Sequence, residues 1–456
     1  MADDLSLIAN AKPAPGPAGH FISGSIAQMR AGAPQFFMDL VKQFGPIASF
    51  RLGPQPCMLV GSPGAARHVL VDNAKSYSKG TRGFKKLQLV MGQGLVTSDG
   101  ELWKRQRKMI QPAFHRKQIA KFSLMMHRAS EALFEELDAV ADQNEAIDLS
   151  TVMMKVTMRI VSETLFGEGV EEDVHVVGEA VSAVQEEVNR RILSLIDIPM
   201  WIPTPANRRL TLAKEALNGV VDRFIAARRE NPGDDLLSSL LAMVDDETRN
   251  PMLDQQLRDE VMTLYLAGHE TTSHALTWTF FLLSRYPAID EILGAEAKAF
   301  FGDGAFEFER LSELVMTEAT LKESMRLFPP VWGFSRLAEV SDQVDGYRIP
   351  QGTMVFVSPW VLHRDPVLYP NPEGFEPSRF RGKSLQALPK CSYMPFGAGS
   401  RQCIGAAFAM MEAKVVLATL AQRYRFFLEM GHRVQGDAVI TYRPLHGMRM
   451  TVHRRG

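Results

Sequence analysis

The chain has 456 residues, 46% of them hydrophobic, and 51 Lys+Arg set against 52 Asp+Glu leave a formal net charge of −1. That is the composition of a folded globular protein, and the balance excludes a globally basic nucleic-acid binder and an acidic solvating tail. No Ser/Gly linker or charge block divides the sequence, so residues 1–456 are expected to form one domain, with residues 1–20 a flexible Pro-rich lead-in. Asp3 and Asp4 stand where a signal peptide would be basic. No apolar run approaches the roughly 20 residues of a membrane span, so a cytoplasmic protein without a membrane anchor is expected. Cys57, Cys391 and Cys403 are too few and too odd in number for a disulfide framework and lack the CxxC spacing of a zinc site.

In chain order, Pro46–Leu52 and Cys57–Val60 flank a Gly53-Pro54-Gln55-Pro56 breaker and predict a hairpin. Apolar residues then recur at helical spacing over Ser130–Asp142, Thr151–Phe166, Val174–Leu193, Leu212–Glu230, Leu253–Arg285, Leu311–Phe328 and Ala406–Arg423. A second hairpin is predicted from Gly346–Ile349 and Thr353–Val357 about Pro350-Gln351-Gly352. The fold class is mainly α with small β-sheets. From Met252 to Arg285 no proline interrupts, and a helix of that length, roughly 50 Å, must cross the core. Its centre, Ala267-Gly268-His269-Glu270-Thr271-Thr272, is polar where packing alone would prefer none, which marks a functional candidate.

Cys403 directly precedes the helical run from Ala406, where unpaired N–H groups and the helix dipole favour a thiolate that ligates a metal or attacks as a nucleophile. An inert buried thiol is the usual alternative for a lone cysteine. Gly397, Gly399 and Gly405 keep side chains away from the sulfur so that a flat ligand can approach, and Arg401 adds a cation. The pattern Phe396-x-x-Gly399-x-Arg401-x-Cys403-x-Gly405 resembles the haem-binding signature of the cytochrome P-450 family at all five defining positions. The resemblance implies that family's fold, with the long helix crossing over a haem b whose iron Cys403 ligates as a thiolate.

Further motifs extend the resemblance along the chain. Glu323-Ser324-Met325-Arg326 is similar to the family's ExxR motif, which with Arg379 of Pro377-Ser378-Arg379-Phe380 would form a buried structural group. Ser378 stands where the family often has Glu. Glu270-Thr271 resembles the acid and alcohol that serve oxygen activation, with Gly268 leaving space over the haem and Thr271 alternatively bonding a carbonyl four residues back. His269 is expected to be a packing or surface residue. Trp103-x-x-x-Arg107, Arg336 and Arg401 match positions that hold the haem propionates. Lys104, Arg105 and Lys108 would face outward as a docking patch for an acidic electron carrier.

By the same analogy Phe84, Leu87, Leu89, Val90 and Met91, in a loop before the Trp103 helix, together with Leu264, Ala267, Val331, Trp332 and Phe334, would line an apolar substrate chamber. The resemblance implies a haem-thiolate monooxygenase, a monomer. It would take O2 and two electrons from a ferredoxin or flavodoxin with its NAD(P)H reductase, and no fused reductase is expected. The substrate would be a lipophilic fatty acid, terpenoid, steroid or similar compound. A peroxide-using peroxygenase and a non-catalytic haem sensor remain as alternatives.

Overall fold

The structure, a computed structural model, describes residues 11–143, 145–167, 174–194, 196, 198–244, 252–302, 306–382 and 387–456. Its centre is the helix Asp254–Arg285, 32 residues long and so about 48 Å. Its start is marked by Asp254 in the first turn and its end by Arg285 in the last, both signs favoured by the helix dipole. Pro287 opens the next helix, Pro287–Phe301, and forces Tyr286 out of helical geometry between them. The central helix is buried on nearly every face, against Leu149–Phe166, Pro205–Glu230, Val315–Leu327 and Ala406–Ala421.

Several hydroxyls along this helix donate backwards. Thr271, Thr277 and Thr279 bond the carbonyls of Ala267, Ser273 and Ala275, at 3.0, 2.7 and 2.6 Å, which satisfies those donors inside a buried helix, whereas the buried Thr263 Oγ1 has no partner among the described residues. Trp278, fully buried, stacks on Phe328 at 4.4 Å and gives its Nε1 hydrogen to the carbonyl of Tyr442. It fastens the helix to the C-terminal strands, and burial of an aromatic of this size is worth about 3 kcal/mol.

The described strands form four small sheets. Ile47–Leu52 and Gln55–Val60 pair as the first hairpin predicts, but with a tight turn at Gly53-Pro54. The second predicted hairpin does not form. Tyr347–Ile349 pairs with Asp342–Val344 and Lys12–Pro13, whereas Met354–Val357 runs parallel to Cys57–Val60 and antiparallel to Phe334–Ala338 in another sheet. Gly352 takes the left-handed conformation and donates to Ala338, which turns the chain across to a new partner rather than back on itself. The segment read as a loop before the Trp103 helix is itself the helix Arg82–Met91. The stretch read as Ser130–Asp142 is two helices, Ser123–Glu131 and Phe134–Gln143.

Candidate active site

A cavity of about 1380 Å³ lies between the central helix and the loop that carries Cys403. That loop is shaped by two left-handed glycines, Gly397 and Gly399, and closed by the Cys403 N–H donating to Phe396 at 2.9 Å. Gly399 is dictated by a neighbour. A Cβ there would meet the carbonyl oxygen of Leu70 at 2.1 Å, so this glycine admits the turn His68–Asp72 beneath the loop rather than clearing space at the sulfur. Gly405 is the position whose Cβ would touch Sγ, at 4.0 Å. Cys403 is surrounded by protein, yet its surface opens into the cavity.

The helix Gly100–Ile110 clasps this loop from one side. The Trp103 ring lies under the Arg401 guanidinium at 3.6 Å, and one turn later Arg107 donates to the Gln402 carbonyl at 2.8 Å. Arg401 also pairs with Asp99 and bonds the Ser98 carbonyl. Arg336 is almost wholly buried and, among the described residues, its one hydrogen bond goes to the carbonyl of Ser335. Beside them stands Lys79, which no sequence signal had singled out; its ammonium group bonds the Val96 carbonyl at 2.6 Å. Burial lowers Lys79 well below the usual lysine range, and Arg336 and Arg401 add to the effect. Burial likewise brings Arg336 and Arg401 to about 10. Three sequestered cations face the cavity with Asp99 the carboxylate that acts on all of them, a surplus of positive charge that calls for an anionic occupant. The two carboxylates of a haem placed over Cys403 fit that requirement.

The sequence matches the Cytochrome P450 family over residues 13–437. It is 38% identical over 405 residues to "Cyclooctatin synthase" of Streptomyces melanosporofaciens, covering 88% of this chain and 87% of the relative. It is also 33% identical over 395 residues to the same organism's "Cyclooctat-9-en-7-ol 5-monooxygenase", covering 86% and 85%. With "Pentalenene oxygenase" of Streptomyces avermitilis the identity is 31% over 420 residues, covering 90% and 91%. The chain belongs to the cytochrome P450 family. It is an oxidoreductase of the P450 monooxygenase class, and the family implies a haem-thiolate cofactor, dioxygen, a lipophilic substrate and redox partners.

Within this P450 the cavity wall gathers Thr271, Glu270, Gly268, Trp103, Arg107, Arg336, Phe396, Gly397, Arg401, Cys403 and Gly405. It also holds the apolar set Phe84, Leu87, Val90, Met91, Leu264, Ala267, Val331, Trp332 and Phe334, while Leu89 is not part of it. Glu323, Arg326 and Arg379 lie away from the cavity and meet one another. Arg326 grips Glu323 with two bonds of 2.7 and 2.9 Å, both residues fully buried, and Arg379 reaches the same carboxylate at 3.4 Å. Arg379 takes a second carboxylate from Glu376 at 3.0 Å, although its buried Nε finds no hydrogen-bond acceptor among the described residues.

Three expectations need correction. Gly268 borders the cavity, but its bare side faces Val161 of the helix Leu149–Phe166, where a Cβ would stand 3.2 Å from Cγ2; helix approach explains this glycine. The Cys403 thiol is pushed up by burial, and the Gly405 N–H and the Arg107 charge only partly oppose it. The helix start alone therefore does not make this thiol a thiolate. Glu270 is held by three donors to one oxygen, Oε1: Gln185 Nε2, His274 Nε2 at 3.1 Å and Thr441 Oγ1 at 2.6 Å. Burial raises its pKa, but these donors outweigh that and bring it to about 2, so at neutral pH it carries no proton to give. His269 is a buried packing residue bonded to the Tyr265 carbonyl.

Proposed function

We propose that this P450 inserts one oxygen atom of O2 into a C–H or C=C bond of a terpenoid, drawing two electrons from an external ferredoxin or flavodoxin served by an NAD(P)H reductase. The observation that carries the reading is one apolar cavity bordered by Cys403 on one side and Thr271 on the other. Relatives whose names specify an alkene, pentalenene, and an alkenol, cyclooctat-9-en-7-ol, support the substrate class. Bound haem b would supply the dioxygen activation, held by Cys403 and by Lys79, Arg336 and Arg401 on its propionates.

The protein's own work is placement and proton supply. Phe84, Leu264, Ala267 and Trp332 hold an apolar substrate and exclude water from it. Thr271 Oγ1 parks its hydrogen on the Ala267 carbonyl while the residue faces the cavity, so rotation of the hydroxyl offers that proton inward. Glu270 becomes a proton carrier only when one of its three donors withdraws. Lys104, Arg105 and Lys108 are exposed on the helix that clasps the Cys403 loop, a position suited to an acidic electron carrier. Peroxide use and gas sensing gain no support from relatives named monooxygenase and oxygenase.

The test is turnover of pentalenene-type and fused-ring terpenes by the reduced holoprotein with O2, preceded by the carbon monoxide difference spectrum. A thiolate-type Soret band and an oxygenated product are expected, and Thr271→Ala should lower product per electron and raise peroxide release. A histidine-type band, or unchanged coupling in Thr271→Ala, overturns the corresponding assignment.

A further inference from the structure

One cation in the cavity wall has no partner. Arg82 opens the helix Arg82–Met91, lines the cavity, and makes neither an ion pair nor a hydrogen bond among the described residues. Its buried Nη2 has no acceptor among the described residues. The other outer cations of the wall are engaged, Arg30 by the Leu193 carbonyl at 2.8 Å and Arg190 by Glu187 at 2.8 Å. Both carboxylates of the wall are taken as well: Glu270 by its three donors and Asp437 by Arg443. Arg82 follows Thr81, whose hydroxyl meets that of Ser335 at 3.0 Å. Its neighbour Gly83 faces Ile192 at the end of the helix Val174–Ile192, on the substrate side.

A partly buried guanidinium without an acceptor is costly, and at the first turn of a helix the dipole opposes it further. We infer that Arg82 is a substrate-recognition residue and that the cavity accepts a lipophile bearing a carboxylate, which the planar guanidinium grips while the hydrocarbon body fills the apolar wall. The inference rests on the proposed lipophilic substrate site and narrows its substrate class.

The test is a spin-state titration of the holoenzyme at pH 7.5 with two matched pairs, abietic acid against methyl abietate and palmitic acid against methyl palmitate. Each acid is expected to bind tenfold or more tighter than its ester. Arg82→Ala should abolish that preference with ester affinity unchanged, and Arg82→Lys should restore part of it. Equal binding of acid and ester overturns the inference. So does an Arg82→Ala protein that keeps the preference but loses haem, which would make Arg82 a haem-holding residue. Arg82-dependent binding of palmitic acid with no abietane bound sustains the inference and removes the terpenoid reading. Neutral terpenes bound without acid preference do the reverse.

Discussion

The guanidinium of Arg401 lies over the indole of Trp103, its carbon 3.6 Å from the ring centroid. The contact joins the loop that carries Cys403 to the helix Gly100–Ile110, and it adds to the Asp99 pair and the Ser98 carbonyl bond that orient this cation. Such a stack is worth about 0.5–2 kcal/mol. Trp103→Leu is therefore expected to speed haem loss by roughly 2–30-fold on that figure, with Trp103→Phe between the two. Haem transfer to apomyoglobin measures it, and an unchanged rate would show that the ring does not position Arg401.

Glu323 and Arg326 form a fully buried pair, whereas Arg379 is 14% exposed and reaches Glu323 only at 3.4 Å. Removing one member of a buried pair strands the other, at a cost of about 3–5 kcal/mol. Glu323→Gln is expected to abolish recovery of folded holoprotein. Arg379→Ala should cost about 1–2 kcal/mol and still fold, as denaturant midpoints will report. Equal losses from the two variants would contradict the hierarchy read from the geometry.

Gly397 and Gly399 share a left-handed backbone but not their surroundings. A Cβ at Gly397 meets nothing within 4 Å, while one at Gly399 collides with the Leu70 carbonyl. Against the protein itself Gly397→Ala meets only the backbone penalty of about 1–2 kcal/mol. Gly399→Ala must in addition push the turn His68–Asp72 away. The denaturant midpoint of the cofactor-free protein should fall modestly in the first and severely in the second.

His363 is fully buried, accepts the Met394 N–H at Nε2, and has its pKa lowered to about 3, by burial first and then by Arg364 and Arg326. The unfolded chain binds this proton near pH 6.5, so below that value the unfolded state takes up a proton that the folded state refuses. The stabilisation is complete above about pH 6.5 and is lost progressively as pH falls toward 3. His363→Asn, which can still accept from Met394, is expected to flatten the fall of melting temperature between pH 6.5 and 4.5. An identical slope in both proteins would remove His363 from the acid response.

The long helix and the glycine pattern around Cys403 were legible in the sequence because each is local; the spacing of three between Glu323 and Arg326 by itself fits a solvated surface pair, and only the family resemblance pointed to the buried group found. The second hairpin was misread because strand pairing is decided across the fold, where Met354–Val357 finds Cys57–Val60 a better neighbour than Tyr347–Ile349. Lys79 and Arg82 carried no signal for a similar reason. Each is an ordinary cation in an ordinary stretch, and only burial against distant groups gives it a role. Glu270 borders the cavity, and its carboxylate is held by His274, four residues on, and by Thr441 and Gln185, which no spacing connects to it.

The parallel pairing of Cys57–Val60 with Met354–Val357 joins segments about 300 residues apart. At roughly 5–20 residues per second, the ribosome delivers the second strand some 15–60 s after the first. Throughout that interval the N-terminal hairpin waits with an unpaired flank open to other chains, and the thiol loop is made later still. Haem capture is thus a late event in the birth of this protein, after the long wait of an exposed strand edge.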